Sequence, residues 1–251
     1  MPRNIGRYMK EFSFLDNWWQ FLLIAIACYF IGSINFAWLI SRAMHKDITK
    51  LGSGNPGTMN VTRELGIKAG ALTFAGDALK GVVPMVICFF LYRPYRFEGT
   101  QVLVSDFIRY FTAVFVVIGH IFPASTHYKG GKGIASTLGI FWGGLSCESP
   151  WWILLGFVVA AIIISFIYFT ELGSMGSLLG VTGCSIIQLI YFILRYVTVG
   201  KIELNAYLVC LFMFLLALNL LTWFAHRKNV KRLFAGEEHH TSFKKAAHKK
   251  S

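Results

Sequence analysis

The chain has 251 residues, of which 55% are hydrophobic and only 14% charged, yet it carries a formal net charge of +12. A soluble domain usually has about a quarter of its residues charged, and disordered segments combine low hydrophobicity with high charge, so both classes are excluded. The basic balance alone would suit a soluble nucleic-acid-binding protein, but the long apolar stretches would not, and no nucleic acid is expected as a partner.

A membrane-spanning helix needs about 20 mainly apolar residues. In chain order, such runs are predicted at Trp18–Ser41, Ala69–Tyr92, Phe107–Phe122, Trp151–Thr170, Leu178–Tyr196 and Leu204–Phe224. A shorter, glycine-rich run between Gly133 and Leu145 spans only if the bilayer thins or neighbours cover it. Counted with the others it gives an all-α, polytopic membrane protein with seven transmembrane helices. The first run is too long for a signal-peptide core and lacks a small-residue cleavage site, so it reads as a retained helix. Residues 1–17 form an N-terminal extension, 18–238 the membrane domain and 239–251 a basic C-terminal tail. The five cysteines are widely spaced without a C-x-x-C pair, which suggests neither a disulfide framework nor a zinc site.

An odd number of spans puts the termini on opposite sides. One side collects Arg42, Lys46, Lys50, Arg63, Lys68, Lys129, Lys132 and the basic residues after Phe224. The other collects fewer, among them Arg93, Arg96, Arg109, Arg195 and Lys201. The richer side is expected to be cytoplasmic, with the N-terminus outside and the C-terminus inside. The connections on that side are also the ones dense in Gly, Ser, Asn, His, Lys and Arg, so a site is expected there.

The first inner loop contains Gly52, Gly54 and Gly57 in G-x-G-x-x-G spacing. A dinucleotide fingerprint needs a preceding strand in a βαβ unit, and here a transmembrane helix precedes it. The glycines still let backbone N–H groups approach an anion closely. Ser53, Asn55 and Asn60 add neutral donors, and Arg63 adds a planar fork suited to phosphate. A bare turn would need only Gly-Asn-Pro-Gly. Further on, Asp77 and Lys80 lie three apart within an apolar run, where ionisable groups pair or face a cavity. Lys80 is thus either half of a structural ion pair or a source of positive potential for the anion site.

The second inner loop runs through His120 to Lys129-Gly130-Gly131-Lys132-Gly133, just before a helix start. It lacks Walker A spacing, but a helix N-terminus binds phosphate through its free N–H groups and dipole. Ser174 and Ser177 begin another helix, where serine is also a good N-cap. His226 and Asn229 share one helical face below the last span. No G-x-S-x-G elbow or metal-binding acidic cluster occurs. This set of phosphate cradles without an evident base, nucleophile or metal suits a reaction carried by alignment and electrostatic stabilisation.

The segments Gly52–Arg63, Gly119–Thr137 and His226–Glu238, with Asp77-x-x-Lys80-Gly81 and Ser174-x-x-Ser177, resemble the motif regions of the bacterial membrane acyl-phosphate:glycerol-3-phosphate acyltransferases (the PlsY family). The resemblance implies transfer of a fatty acyl group from acyl phosphate to the 1-hydroxyl of sn-glycerol 3-phosphate, giving lysophosphatidic acid and phosphate, without cofactor or metal. Its partners would be glycerol 3-phosphate, fatty acyl phosphate and membrane lipids; no feature of the sequence specifies an oligomeric state. By motif match it implies catalytic roles for Ser53, Arg63, His226 and Asn229. Substrate contacts would fall to Gly52, Gly54, Asn55, Asn60, Lys80, Gly130, Gly131, Lys132, Gly133, Ser174 and Ser177, and Glu238 would be structural. With no base in the motifs, the departing phosphate is expected to take the hydroxyl proton. The rival expectation is a membrane transporter for a phosphorylated solute, since half-helix N-termini also face anions in transporters. Against it, the polar residues gather on one side of the membrane and no inverted repeat is visible.

Overall fold

The computed structural model describes residues 9–238; the tail over 239–251 and the first eight residues of the extension lie outside the described residues. The helices are α1 (Phe14–Gly32), α2 (Phe36–Ala43), α3 (Thr58–Leu65), α4 (Ile67–Tyr92), α5 (Val104–Ile121), α6 (Ile134–Ser146), α7 (Trp151–Thr170), α8 (Gly173–Phe192), α9 (Ala206–Ala225) and α10 (Arg227–Phe234). Strands β1 (Lys10–Phe12) and β2 (Tyr95–Phe97) pair in parallel, Lys10 opposite Tyr95. Strand β1 and the first turn of α1 therefore fall among the residues set apart above as an N-terminal extension.

Among the described residues, six helical stretches, α1 with α2 counted together, are long and apolar enough to cross a membrane. The protein is thus a mostly helical, multi-pass membrane protein. The glycine-rich run forms α6, whose 13 residues rise about 20 Å against a hydrocarbon core of about 30 Å. Helix α6 lies among α4, α5, α7 and α8, so protein covers most of its surface.

Helix α5 is the central post, packed against α1, α4 and α9. Glycine sets how closely it meets α1. A Cβ on Gly32 would collide with the Val116 backbone, and one on Gly119 with the Tyr29 carbonyl. Small residues let membrane helices approach through such contacts.

The run expected as one helix from Trp18 to Ser41 is broken between Gly32 and Phe36. Asn35 restarts it by capping α2, its Oδ1 accepting the Trp38 N–H at 2.9 Å. The break frees the Ile34 carbonyl inside the bundle, and Lys80 Nζ donates to it at 2.5 Å. The same ammonium pairs with Asp77 Oδ1 at 2.8 Å. Periodicity alone missed the break because the flanking residues stay apolar.

At the bundle end near β1 and β2, Arg109 is fully buried and is held by Asp106 Oδ1 at 2.7 Å, Glu148 Oε1 at 2.9 Å and the Gly144 carbonyl at 2.6 Å. Arg195 donates to Glu148 Oε2 at 2.8 Å, and Tyr196 donates to Asp106 Oδ2 at 2.5 Å. The two arginines counted above among the basic residues of that side are internal cross-links between α5, α6 and the π-helical turn (Ile193–Val199) that extends α8.

Candidate active site

The opposite end of the bundle collects the two glycine-rich loops, the N-termini of α6 and α8, and helices α3 and α10. The first loop is folded by Asn60, which is 1% exposed. Its Oδ1 accepts the Ser53 N–H at 3.1 Å, and its Nδ2 donates to the Leu51 and Ile48 carbonyls at 3.0 and 3.4 Å. Gly52 and Gly54 take positive φ values of 53° and 68°, which is why glycine stands there. The loop thereby brings Ser53 to Arg63 on α3, whose guanidinium donates to the serine Oγ at 3.4 Å.

The second loop docks back on the end of α5. Gly130 N–H donates to the Ile121 carbonyl at 3.2 Å and Gly131 N–H to the His120 carbonyl at 3.1 Å. Gly133 has φ +79° and ends the loop at the α6 N-terminus. Lys132 then reaches across to α10, its Nζ donating to Asn229 Oδ1 at 2.5 Å. Asn229 Nδ2 donates to Ser174 Oγ at 2.6 Å and to Glu238 Oε1 at 3.0 Å, while Ser174 Oγ donates to Glu238 Oε1 at 2.7 Å. Arg232 lies 3.7 Å from Glu238 Oε2. One buried carboxylate thus ties residues of α8 and α10 together, and through Asn229 the α6 loop.

Three cations, Arg63, Lys132 and Arg232, share this space with the Glu238 carboxylate, and Glu64 also acts on Arg63. Burial pushes the Lys132 ammonium down to about 8; Arg232 and Arg63 nearby lower it further and Glu238 opposes them. His226 is 2% exposed. Its Nδ1 lies 2.8 Å from the Thr222 carbonyl. A carbonyl accepts only, so Nδ1 carries the proton and Nε2 of the neutral ring has a free lone pair. Burial first, and then Lys132, push this imidazole down to about 4, although the Thr222 bond acts the other way. His226 is therefore neutral at physiological pH.

These groups form the polar end of a cavity of about 890 Å³. Of the residues expected at a site, Ser53, Asn55, Asn60, Arg63, Lys132, Gly133, Ser174, Ser177, His226 and Asn229 line it. Ser177 donates to the Gly173 carbonyl at 2.8 Å and is committed to its own helix turn. Gly52, Gly54, Gly130 and Gly131 shape the loops without lining the cavity. Lys80 is not brought to it either, because its side chain is 3% exposed and its ammonium is held by Asp77 and the Ile34 carbonyl. Arg232 and His120 also line the cavity and were missed. Arg232 lies three residues beyond Asn229 on α10, a helical spacing that would have pointed to it. His120 is next to Asp77 and Ser136, its Nδ1 3.7 Å from Asp77 Oδ1 and 3.5 Å from Ser136 Oγ.

Away from the polar end the cavity is walled by apolar residues of α4, α6, α7 and α8, such as Phe74, Val82, Leu138, Val159 and Ile163. The arrangement offers an anion several cations and backbone N–H groups, and offers an apolar chain a continuous wall beside them.

A sequence profile described as glycerol-3-phosphate acyltransferase matches residues 22–236. A glycerol-3-phosphate acyltransferase of Thermoanaerobacter pseudethanolicus is 36% identical over 218 residues, covering 86% of this chain and 93% of that protein. One of Clostridioides difficile is 33% identical and covers 90% and 98%. Glycerol-3-phosphate acyltransferase 2 of Thermotoga maritima is 34% identical and covers 88% and 95%. The crystal structure of PlsY (YgiH), an integral membrane glycerol 3-phosphate acyltransferase, in its glycerol 3-phosphate form, aligns with a TM-score of 0.69 at 26% identity over 88% of this chain and 95% of that one. Its lysophosphatidic acid form gives the same score over 90% and 98%. With the profile covering most of the chain and relatives matched nearly end to end, this chain belongs to the glycerol-3-phosphate acyltransferase family of integral membrane enzymes.

Proposed function

We propose that the protein transfers a fatty acyl group from acyl phosphate to the 1-hydroxyl of sn-glycerol 3-phosphate, releasing lysophosphatidic acid and inorganic phosphate. The observation that carries this reading is the single cavity with Arg63, Lys132 and Arg232 at one end and an apolar wall continuous with it. It suits two phosphate-bearing substrates, one of them with a hydrocarbon tail.

In the step proposed, the acceptor hydroxyl oxygen attacks the carbonyl carbon of the mixed anhydride, the bond between that carbon and the oxygen it shares with phosphorus breaks, and the hydroxyl proton passes to the phosphate that departs with that oxygen. The proton's destination follows from relative basicity. A phosphate monoanion loses its proton near pH 6, whereas the His226 imidazole is held at about 4, so the phosphate is the better base. His226 Nε2 accepts from the other free hydroxyl of glycerol 3-phosphate and so orients the acceptor. Lys132, Asn229 and the α6 N-terminus hold the phosphate of the acceptor, and Ser53 with Arg63 holds the phosphoryl group of the donor. Preorganised donors around developing charge then lower the barrier.

The reading includes seven membrane crossings with α6 as the short one, the N-terminus outside, and this site on the cytoplasmic side of a bacterial cell membrane. The side richer in Lys and Arg supports that orientation. Purified protein supplied with palmitoyl phosphate and glycerol 3-phosphate is expected to form lysophosphatidic acid and phosphate in equal amounts. Absence of product, or equal turnover with acyl-coenzyme A alone, would overturn the donor assignment.

A further inference from the structure

One large side chain stands in the apolar part of the cavity. Trp142 of α6 is half-buried and lines it, and its indole bridges from α6 to α7. Nε1 donates to the Ile153 carbonyl at 3.2 Å, and the ring meets Phe157 edge-on with centroids 4.8 Å apart. The ring lies over Gly156, where a Cβ would collide with the indole. Glycine at 156 is the notch that lets the ring lie back towards α7. Within α7 only Ile167 is buried. Beyond Trp142 the cavity continues past Gly143 and Ser146 to Trp152.

Trp142 lies nine positions beyond Gly133, at the phosphate-binding end, a rise of roughly 14 Å along α6. With carbon–carbon bonds near 1.5 Å, an extended hydrocarbon advances about 1.25 Å per carbon. A chain starting at the polar end therefore meets the indole at about its eleventh or twelfth carbon.

We propose that Trp142, seated in the Gly156 notch, is a specificity-determining residue that narrows the cavity at that depth and so sets how much a longer acyl chain gains. The proposal rests on the acyl-transfer reading above. An acyl chain arriving from a bilayer is already out of water, so each methylene laid against the apolar wall gains through dispersion contacts with it. Carbons short of the ring collect that gain, and those beyond it collect less because the indole occupies part of their space.

The test measures kcat/KM for acyl donors from about eight to about eighteen carbons with wild type, Trp142→Ala, Trp142→Phe and Gly156→Ala. For Trp142→Ala the gain per methylene beyond about the twelfth carbon should rise to that measured for the carbons short of the ring, with KM for glycerol 3-phosphate unchanged. Gly156→Ala pushes the indole out of its notch into the cavity and should move the preferred length to shorter chains. Trp142→Phe should fall between wild type and alanine, and keeps a ring in place if the alanine variant does not fold. Active Trp142 variants with the wild-type length profile would overturn the proposal. If acyl phosphates fail as donors but another acyl donor works, the same series run with that donor still decides the role of Trp142, while the donor assignment falls separately.

Discussion

In the proposed reaction Arg63 holds the donor phosphoryl group through a fork that a loop and a short helix must both position. Replacing it with alanine leaves Asn60 and its three hydrogen bonds in place, so the fold should persist. We expect kcat/KM to fall by about 100-fold or more, read by lysophosphatidic acid formation with melting temperature as the control. Lys132 contributes through its charge. Its ammonium is held at about 8, so it is protonated below that pH and loses its charge above it. KM for glycerol 3-phosphate should therefore rise as pH passes about 8, and Lys132→Arg, whose guanidinium stays protonated, should remove that limb. His226 carries the opposite expectation. A ring held at about 4 does not titrate between pH 5 and 8, so its replacement should lower turnover without deleting a limb of the pH–rate profile in that range. These side-chain types were legible as an anion-binding set from spacing alone. Their wiring through Glu238 was not, because Ser174 and Glu238 are 64 residues apart.

At the scale of elements, the break between α1 and α2 is the feature that local pattern did not reveal. Gly32, Ser33 and Asn35 read as small and polar residues within an otherwise apolar run long enough to span. What stabilises the break lies on another helix, in the Lys80 ammonium and its partner Asp77. Lys80→Met removes one member of a buried pair and also leaves the Ile34 carbonyl without its donor. Such a change typically costs about 3–5 kcal/mol. It should lower the melting temperature in detergent, and adding Asp77→Asn should recover part of the loss by removing the unpaired charge. A double variant no more stable than Lys80→Met would show that the pair does not act as a unit. Helix α6 illustrates the converse. Its glycines and short length were visible in the chain, and its burial among four neighbours explains why so short a helix persists there.

At the scale of the whole molecule, the two ends of the bundle do different work. One end is a cationic mouth opening into an apolar cavity. The other is closed by the β1–β2 pair, by aromatic packing such as Phe97 stacked on Tyr207 at 3.8 Å, and by the Arg109–Asp106–Glu148–Arg195 network. Arg109→Met should leave Asp106 and Glu148 with less compensation and destabilise the protein by about 3–5 kcal/mol. KM for glycerol 3-phosphate should stay at its wild-type value in the protein that remains folded. A selective rise in that KM would instead show that the network communicates with the distant site.

Composition, apolar run lengths and loop motifs were enough to determine a helical membrane protein, its family and most of the polar residues around the cavity, because these depend on residue types and spacings within short windows. Only the tertiary structure decided that Lys80 serves a helix break, that Arg109 and Arg195 are internal cross-links, and that Trp142 stands across the apolar wall. Each of those roles depends on a partner far away in the chain, and contact between distant segments leaves no local periodicity to read.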